Sequence, residues 1–104
     1  MSYSVKFLPE AERDLEIAED YLIQFGAKVI RDFTDTLKKK VSLLKDMPYS
    51  CPAYEDDPYF RRMVLGDYLL FYSVDKKRGL VVVHHIYHHK RNIDRLMEDY
   101  RASE

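Results

Sequence analysis

The sequence predicts a single α+β domain, and three features of the chain support that prediction. Two segments in the first half have apolar residues at helical spacing, whereas three later segments are rich in β-branched and aromatic residues and are bounded by turn residues. The chain of 104 residues is near the commonest domain size, so residues 1–104 have room for one core. We therefore expect an N-terminal strand, a helical hairpin, a three-stranded antiparallel meander that completes a four-stranded sheet, and a short C-terminal helix.

The first part of the chain predicts a strand followed by two helices. Apolar and polar residues alternate over residues 3–7, as in a half-buried strand. Pro9 suits the first turn of a helix whose apolar residues recur every three or four positions, and Gly26 ends that helix. A second amphipathic helix follows over residues 27–46. Because so few residues join the two helices, they must fold back on each other.

The second half predicts the meander. The apolar runs at residues 68–74 and 80–83 are strands, and a third strand precedes them from residue 60. Gly66 and Asp67 suit a two-residue turn, and residues 75–79 suit a longer polar loop.

The remaining two segments are a loop and a helix. Residues 47–58 hold three of the four prolines and show no periodic pattern, so they form a loop between the hairpin and the sheet. Apolar residues at helical spacing then predict a short terminal helix over residues 92–101.

Composition narrows the class of protein. The chain is 46% hydrophobic and 34% charged, which is ordinary for a globular protein and argues against disorder. No apolar run is long enough to span a bilayer and the N-terminus lacks a secretory pattern, so we expect a cytoplasmic protein with no membrane partner. The single cysteine, Cys51, fits a reducing compartment. The formal net charge of −1 argues against a general nucleic-acid binder, although basic residues cluster locally.

The groups able to do acid–base chemistry or bind polyanions gather where the last predicted strand ends. Cleavage of RNA without a metal needs a base for the 2′-hydroxyl, positive charge for the phosphorane and an acid for the leaving oxygen. His88 or His89 is the candidate acid or base, and Arg91 is the candidate phosphate ligand through bidentate hydrogen bonds. This chemistry requires the side chains to converge around one phosphate.

Four further residues are candidates for binding RNA or another target. Lys90 and Arg62 can add positive charge, and Tyr72 and Tyr87 can stack on a base. Arg62 and its neighbour Arg61 lie on alternate faces of a strand, so one of them faces solvent. The other is either a phosphate ligand or the partner of an acidic residue in residues 55–57, and we expect the ion pair.

The remaining basic residues and histidines can be explained by structural roles as well as by functional ones. Residues 38–40 and 76–78 are most simply solvated faces, or they contact ribosomal RNA phosphates if the protein is a nuclease. His84 and His85 point to opposite faces of a strand and no cysteine or carboxylate completes a site, so we expect no metal and no cofactor. In the structural explanation, His84 or His85 lies at the edge of the core and forms hydrogen bonds with the backbone.

Four motifs identify a family resemblance that covers almost the whole chain. They are VKFLPEA at residues 5–11, RRMV at 61–64, GDYLLFYSVD at 66–75 and IYHHKRNI at 86–93. In this order they resemble the RelE/ParE superfamily of bacterial type II toxin–antitoxin toxins. The resemblance implies a small toxin that inhibits growth and a cognate antitoxin that wraps and neutralises it.

The superfamily has two known targets, and the resemblance implies either one. RelE-like members enter the ribosomal A site and cleave mRNA without a metal, whereas ParE-like members poison DNA gyrase. Arg91 matches the closing arginine of the superfamily, and His88 matches a histidine frequent in ParE-like members. Leu69 and Met97 stand where the nucleases usually carry a basic residue and an aromatic or histidine residue, which weakens the nuclease assignment. A third alternative is an inactive relative that only binds its antitoxin.

Overall fold

The computed structural model of the protein describes residues 2–90 and 93–103. The elements in chain order are β1 (Ser4–Phe7), α1 (Pro9–Leu22), a 3₁₀ turn (Ile23–Phe25), α2 (Ala27–Asp46), β2 (Arg61–Leu65), β3 (Tyr68–Asp75), β4 (Leu80–His88) and α3 (Ile93–Ser103). This order confirms the predicted α+β class and the predicted succession of elements. No helix in the described ranges is both long and apolar enough to cross a bilayer.

The four strands form one mixed sheet in the order β1-β4-β3-β2. The three strands of the meander pair antiparallel, and β1 pairs parallel with the first half of β4. Leu65 pairs with Tyr68, which leaves Gly66 and Asp67 as the predicted two-residue turn. Gly66 has a φ of 58°, the left-handed value that such a turn requires and that glycine adopts without steric cost.

Each side of the sheet is covered by different helices. The α1–α2 hairpin packs on one side, which we call the hairpin side, and α3 packs on the other, which we call the α3 side. Buried residues of the hairpin side are Ala11, Ala18, Leu37, Leu44, Met63, Leu65, Tyr68, Leu70, Tyr72, Val81, Val83 and Ile86. Those of the α3 side are Tyr54, Phe60, Phe71, Tyr87 and Met97.

A bulge interrupts β4 at the histidines. Phe71 pairs with His85 and the next residue, Tyr72, pairs with Val83, so His84 is an extra residue on β4. The extra residue shifts the alternation of side chains by one position. After the bulge Ile86 belongs to the hairpin side and Tyr87 to the α3 side.

Candidate functional site

A cavity of about 360 Å³ lies between α1 and the end of β4, and we call it the α1–β4 groove. Its lining residues are Asp14, Ile17, Ala18, Tyr21, Tyr68, Ile86, His88 and Lys90. Ile17 and Tyr21 are each 49% exposed, so the groove has an apolar lip on α1. Of the predicted site residues, His88 and Lys90 lie here.

His88 is held in the groove by aromatic contacts and by the turn that follows it. The ring lies edge-on to Tyr68, with 5.2 Å between ring centroids, and stacks on His89 at 4.9 Å. The Lys90 backbone N–H donates to His88 Nδ1 over 3.2 Å. In the neutral ring Nδ1 is therefore the acceptor and the proton sits on Nε2.

His89 takes the opposite tautomer. Its Nδ1 lies 2.9 Å from the Asp67 carbonyl oxygen, and its backbone N–H donates to the same oxygen over 2.9 Å. A carbonyl oxygen only accepts, so Nδ1 carries the proton and Nε2 is the acceptor of the neutral ring. The end of β4 is thereby tied to the β2–β3 turn. Arg91, the candidate phosphate ligand, lies outside the described residues.

The two candidate stacking residues are core residues. Tyr72 has no exposed surface, and its hydroxyl donates to the Pro48 carbonyl over 2.8 Å. Burial raises the pKa of Tyr72 well above the ordinary value of a tyrosine. Tyr87 is 6% exposed and stacks on His85 with 4.7 Å between ring centroids. Because both rings are buried, neither offers a face to a base in this structure. The sequence did not predict this burial, since the pattern of a strand alone does not show which side of a sheet a helix covers.

Arg62 lies away from the groove. It is exposed on β2 and pairs with Phe71, a residue of the α3 side, whereas His88 pairs with Tyr68 of the hairpin side. Residues paired directly across strands share a face of the sheet. Arg62 and His88 therefore point to opposite sides.

Arg61 has a different partner from the one expected. Its guanidinium donates to the Cys51 carbonyl over 2.6 Å and lies over the Tyr49 ring, 4.9 Å from the centroid. The prediction of an ion pair with residues 55–57 is wrong for Arg61, because the loop after α2 presents backbone carbonyls to its guanidinium. Arg61 acts as a tie between that loop and the sheet.

The bulge also overturns the expected orientation of His84 and His85. Both imidazoles contact Tyr100 of α3, at 5.8 and 4.2 Å between ring centroids. The His84 imidazole is within 2.9 Å of both the Tyr100 hydroxyl and the Ser73 hydroxyl, so it has side chains among its polar partners. Within residues 2–90 and 93–103, no group of three or more histidine, cysteine, aspartate or glutamate residues is arranged to hold a metal ion.

Asp14 is one of the groove residues that the sequence analysis missed, together with Ile17 and Tyr21. Its Oδ2 accepts hydrogen bonds from His85 Nδ1 over 2.9 Å and from the Ile86 backbone N–H over 3.1 Å. A signal was present, since Asp14 is three residues after Ala11 and four before Ala18, both buried. A carboxylate on the buried stripe of a helix needs a partner in the core.

Comparisons with known proteins give one family. The family described as ParE toxin of type II toxin-antitoxin system, parDE, matches residues 5–93. A search of curated proteins finds no significant match.

Solved structures with the same fold include toxins and toxin–antitoxin complexes. The chromosomal ParDE system of Pseudomonas aeruginosa is 17% identical, with a TM-score of 0.67 over 84% of this chain and 96% of that one. The RelBE2 complex of Mycobacterium tuberculosis is 20% identical, with a TM-score of 0.61 over 85% of this chain and 99% of that one. The isolated RelE toxin of Escherichia coli is 19% identical, with a TM-score of 0.62 over 97% of this chain and 99% of that one. At these identities the similarity shows the fold.

Proposed function

Because the chain belongs to the ParE toxin family of type II toxin–antitoxin systems, we propose that it inhibits growth by binding DNA gyrase and not by cleaving RNA. Gyrase is the target that the resemblance to ParE-like members implies. The groove between α1 and β4 is the surface that we assign to this binding.

The observation that supports this proposal most is the dispersal of the candidate nuclease residues. Cleavage of RNA without a metal needs acid, base and cationic groups around one phosphate. Arg62 points to the side of the sheet opposite His88, and Tyr72 and Tyr87 are buried in the two cores. A binding inhibitor needs no such convergence.

The groove has the features of a protein-binding surface. Aromatic and aliphatic side chains at its lip are half exposed, and tyrosine combines a large apolar face with a polar tip suited to interfaces. Ile17 and Tyr21 lie one helical turn apart on α1, so both can contact one partner element. Lys90 also lines the groove and adds a positively charged contact.

We propose that a cognate antitoxin neutralises the protein by laying a segment across apolar surface of the hairpin. Several solved neighbours are complexes of a toxin with its antitoxin, which supports such a partner here. Apart from Ile17 and Tyr21, the hairpin exposes Ile23 and Phe25 by more than half. An apolar surface of this kind suits an amphipathic helix or a strand of the partner.

A ribosome-dependent endoribonuclease is the second candidate function, and one observation favours it. The imidazoles of His88 and His89 stack on each other in opposite tautomers, so one presents a proton and the other a lone pair. Arg91 follows them directly in sequence. In that mechanism Arg91 stabilises the transition state and one histidine transfers the proton.

Induced expression in cells separates these functions. Gyrase inhibition predicts growth arrest with gyrase-dependent DNA damage and intact transcripts. The nuclease predicts translation-dependent cleavage of transcripts, which an Arg91→Ala plus His88→Ala protein would lose. Growth without arrest would show an inactive relative that only binds its antitoxin.

A further inference from the structure

Three segments meet at the end of the molecule remote from the groove. The Tyr3 backbone N–H donates to the Lys45 carbonyl over 2.7 Å, and the Ser4 N–H donates to the Gly79 carbonyl over 2.9 Å. The start of β1 is therefore flanked by the end of α2 and by the β3–β4 turn. We call this place the basic end and define it by four residues: Lys45, Lys76, Lys77 and Arg78.

Positive charge prevails at the basic end. All four defining side chains are exposed, and the Arg78 side chain is 80% exposed. The acidic residues on the same segments are Asp46 and Asp75. The Asp75 carboxylate accepts the Arg78 backbone N–H over 3.1 Å and lies 3.6 Å from its guanidinium. Four cations against two carboxylates leave a positive surface on a chain of net charge −1.

A half-exposed aromatic ring, Tyr49, lies in the loop that follows the Lys45 end of α2. The Arg61 guanidinium lies 4.9 Å from the centre of this ring and is itself anchored by the Cys51 carbonyl. The Tyr49 side chain also adjoins that of Tyr3, the residue bonded to Lys45. A half-exposed ring held near the end of α2, where Lys45 also lies, resembles the stacking platforms of single-strand binding proteins.

We propose that the basic end binds single-stranded nucleic acid, with its lysines on backbone phosphates and Tyr49 stacked on a base. Phosphate contacts supply affinity that is independent of sequence, and stacking selects unpaired bases over a duplex. The carboxylates of an acidic protein segment would use the lysines but gain nothing from the ring, whereas a nucleotide uses both. This surface is separate from the α1–β4 groove, so the inference goes beyond gyrase binding and does not depend on it.

Fluorescence anisotropy of labelled 12-nucleotide RNA and DNA strands with the full chain, at several salt concentrations, tests the proposal. Lys76→Ala plus Lys77→Ala should weaken binding about fivefold or more and reduce the slope of log affinity against log salt by about 1.4, or about 0.7 for each phosphate that is no longer neutralised. The matched control, Lys28→Ala plus Arg31→Ala, removes the same charge at the other end of α2, roughly 20–25 Å from Lys45. It should bind like the unaltered chain.

Tyr49→Leu tests the stacking contact separately. It should weaken binding of a single strand about fivefold or more while leaving the salt slope unchanged, because the lysines still neutralise the same phosphates. Circular dichroism of each variant confirms that it is folded. Three results would overturn the proposal: no binding of either strand at 50 mM salt, an equal loss of affinity in the Lys28 and Arg31 control, or binding of a polyglutamate peptide as tight as that of the strands. Equal binding of duplex and single strand would overturn the role of Tyr49.

Discussion

Asp14 of α1 and His85 of β4 are joined by a hydrogen bond of 2.9 Å between Oδ2 and Nδ1. The same carboxylate oxygen accepts the Ile86 backbone N–H, on a part of β4 that lies beyond its pairing with β1. One side chain thus satisfies a strand N–H and orients a buried imidazole. The contact fixes the wall of the α1–β4 groove.

Removal of Asp14 should destabilise the fold. Asp14→Ala leaves the Ile86 N–H and His85 Nδ1 without their acceptor, in a region where Asp14 is 15% exposed and His85 8% exposed. We expect the free energy of unfolding to fall by about 2–3 kcal/mol in urea denaturation. Glu16→Ala, at an exposed position of the same helix, is the control and should change it by less than about 0.5 kcal/mol. Equal effects of the two substitutions would contradict the role of Asp14.

The buried hydroxyl of Tyr72 should contribute to stability in a pH-dependent way. Tyr72→Phe removes the bond to the Pro48 carbonyl, so we expect a loss of about 1 kcal/mol near pH 7. Burial raises the pKa of Tyr72, so above pH 10 the unfolded chain ionises at this residue while the folded chain stays neutral. Stability present below pH 10 is then lost as pH rises, by about 1.4 kcal/mol per pH unit.

Urea denaturation at pH 7 and pH 11 measures this effect. At pH 7 the unaltered chain should have a higher free energy of unfolding than Tyr72→Phe, and at pH 11 this difference should shrink or reverse. Tyr21→Phe, at an exposed tyrosine, serves as the control and should show the same small difference at both values. A constant advantage over Tyr72→Phe would show that the Tyr72 hydroxyl titrates normally in the folded chain.

Gly66 should be replaceable at a cost set by its backbone conformation alone. A Cβ added to Gly66 has no neighbouring atom within 4 Å, but its φ of 58° is unfavourable for residues with a side chain. We expect Gly66→Ala to lower the free energy of unfolding by about 1–2 kcal/mol, and Gly66→Asn to lower it less, because asparagine tolerates the left-handed region. Identical costs for both substitutions would contradict this explanation.

The succession of elements was predictable because it depends on local patterns. Helical spacing, the turn glycines and the proline-rich loop each act within a few residues, and every predicted element is present. The end of the first helix differs, because α1 stops at Leu22 and a 3₁₀ turn over Ile23–Phe25 leads to Gly26. The hairpin side of the core was predictable for the same reason, since the apolar stripes of α1 and α2 can only be buried against each other and the sheet.

The site was harder to predict because it depends on contacts between distant segments. The bulge at His84 follows from the register of β3 against β4, and it moves His85 to the ring of Tyr100. The partner of His85, Asp14, is 71 residues away in sequence. Tyrosine is a residue type that often contacts ligands, but Tyr72 and Tyr87 are covered by the elements packed on the two sides of the sheet.

The lip of the α1–β4 groove should carry the affinity for the target. Ile17→Ser removes an apolar side chain that is half exposed, so we expect little loss of stability but at least about fivefold weaker binding to gyrase. Ile23→Ser is the matched control, because Ile23 is 63% exposed and does not line the groove. Surface plasmon resonance with immobilised gyrase measures both, and equal affinities would place the binding surface elsewhere.

The most direct test of the proposed function uses the purified chain in two parallel reactions. One follows DNA supercoiling by gyrase, and the other follows the integrity of mRNA on translating ribosomes. We predict that the chain stops supercoiling, that Ile17→Ser relieves this inhibition, and that mRNA remains intact. Cleaved mRNA together with normal supercoiling would contradict the proposal and identify the protein as a ribosome-dependent nuclease.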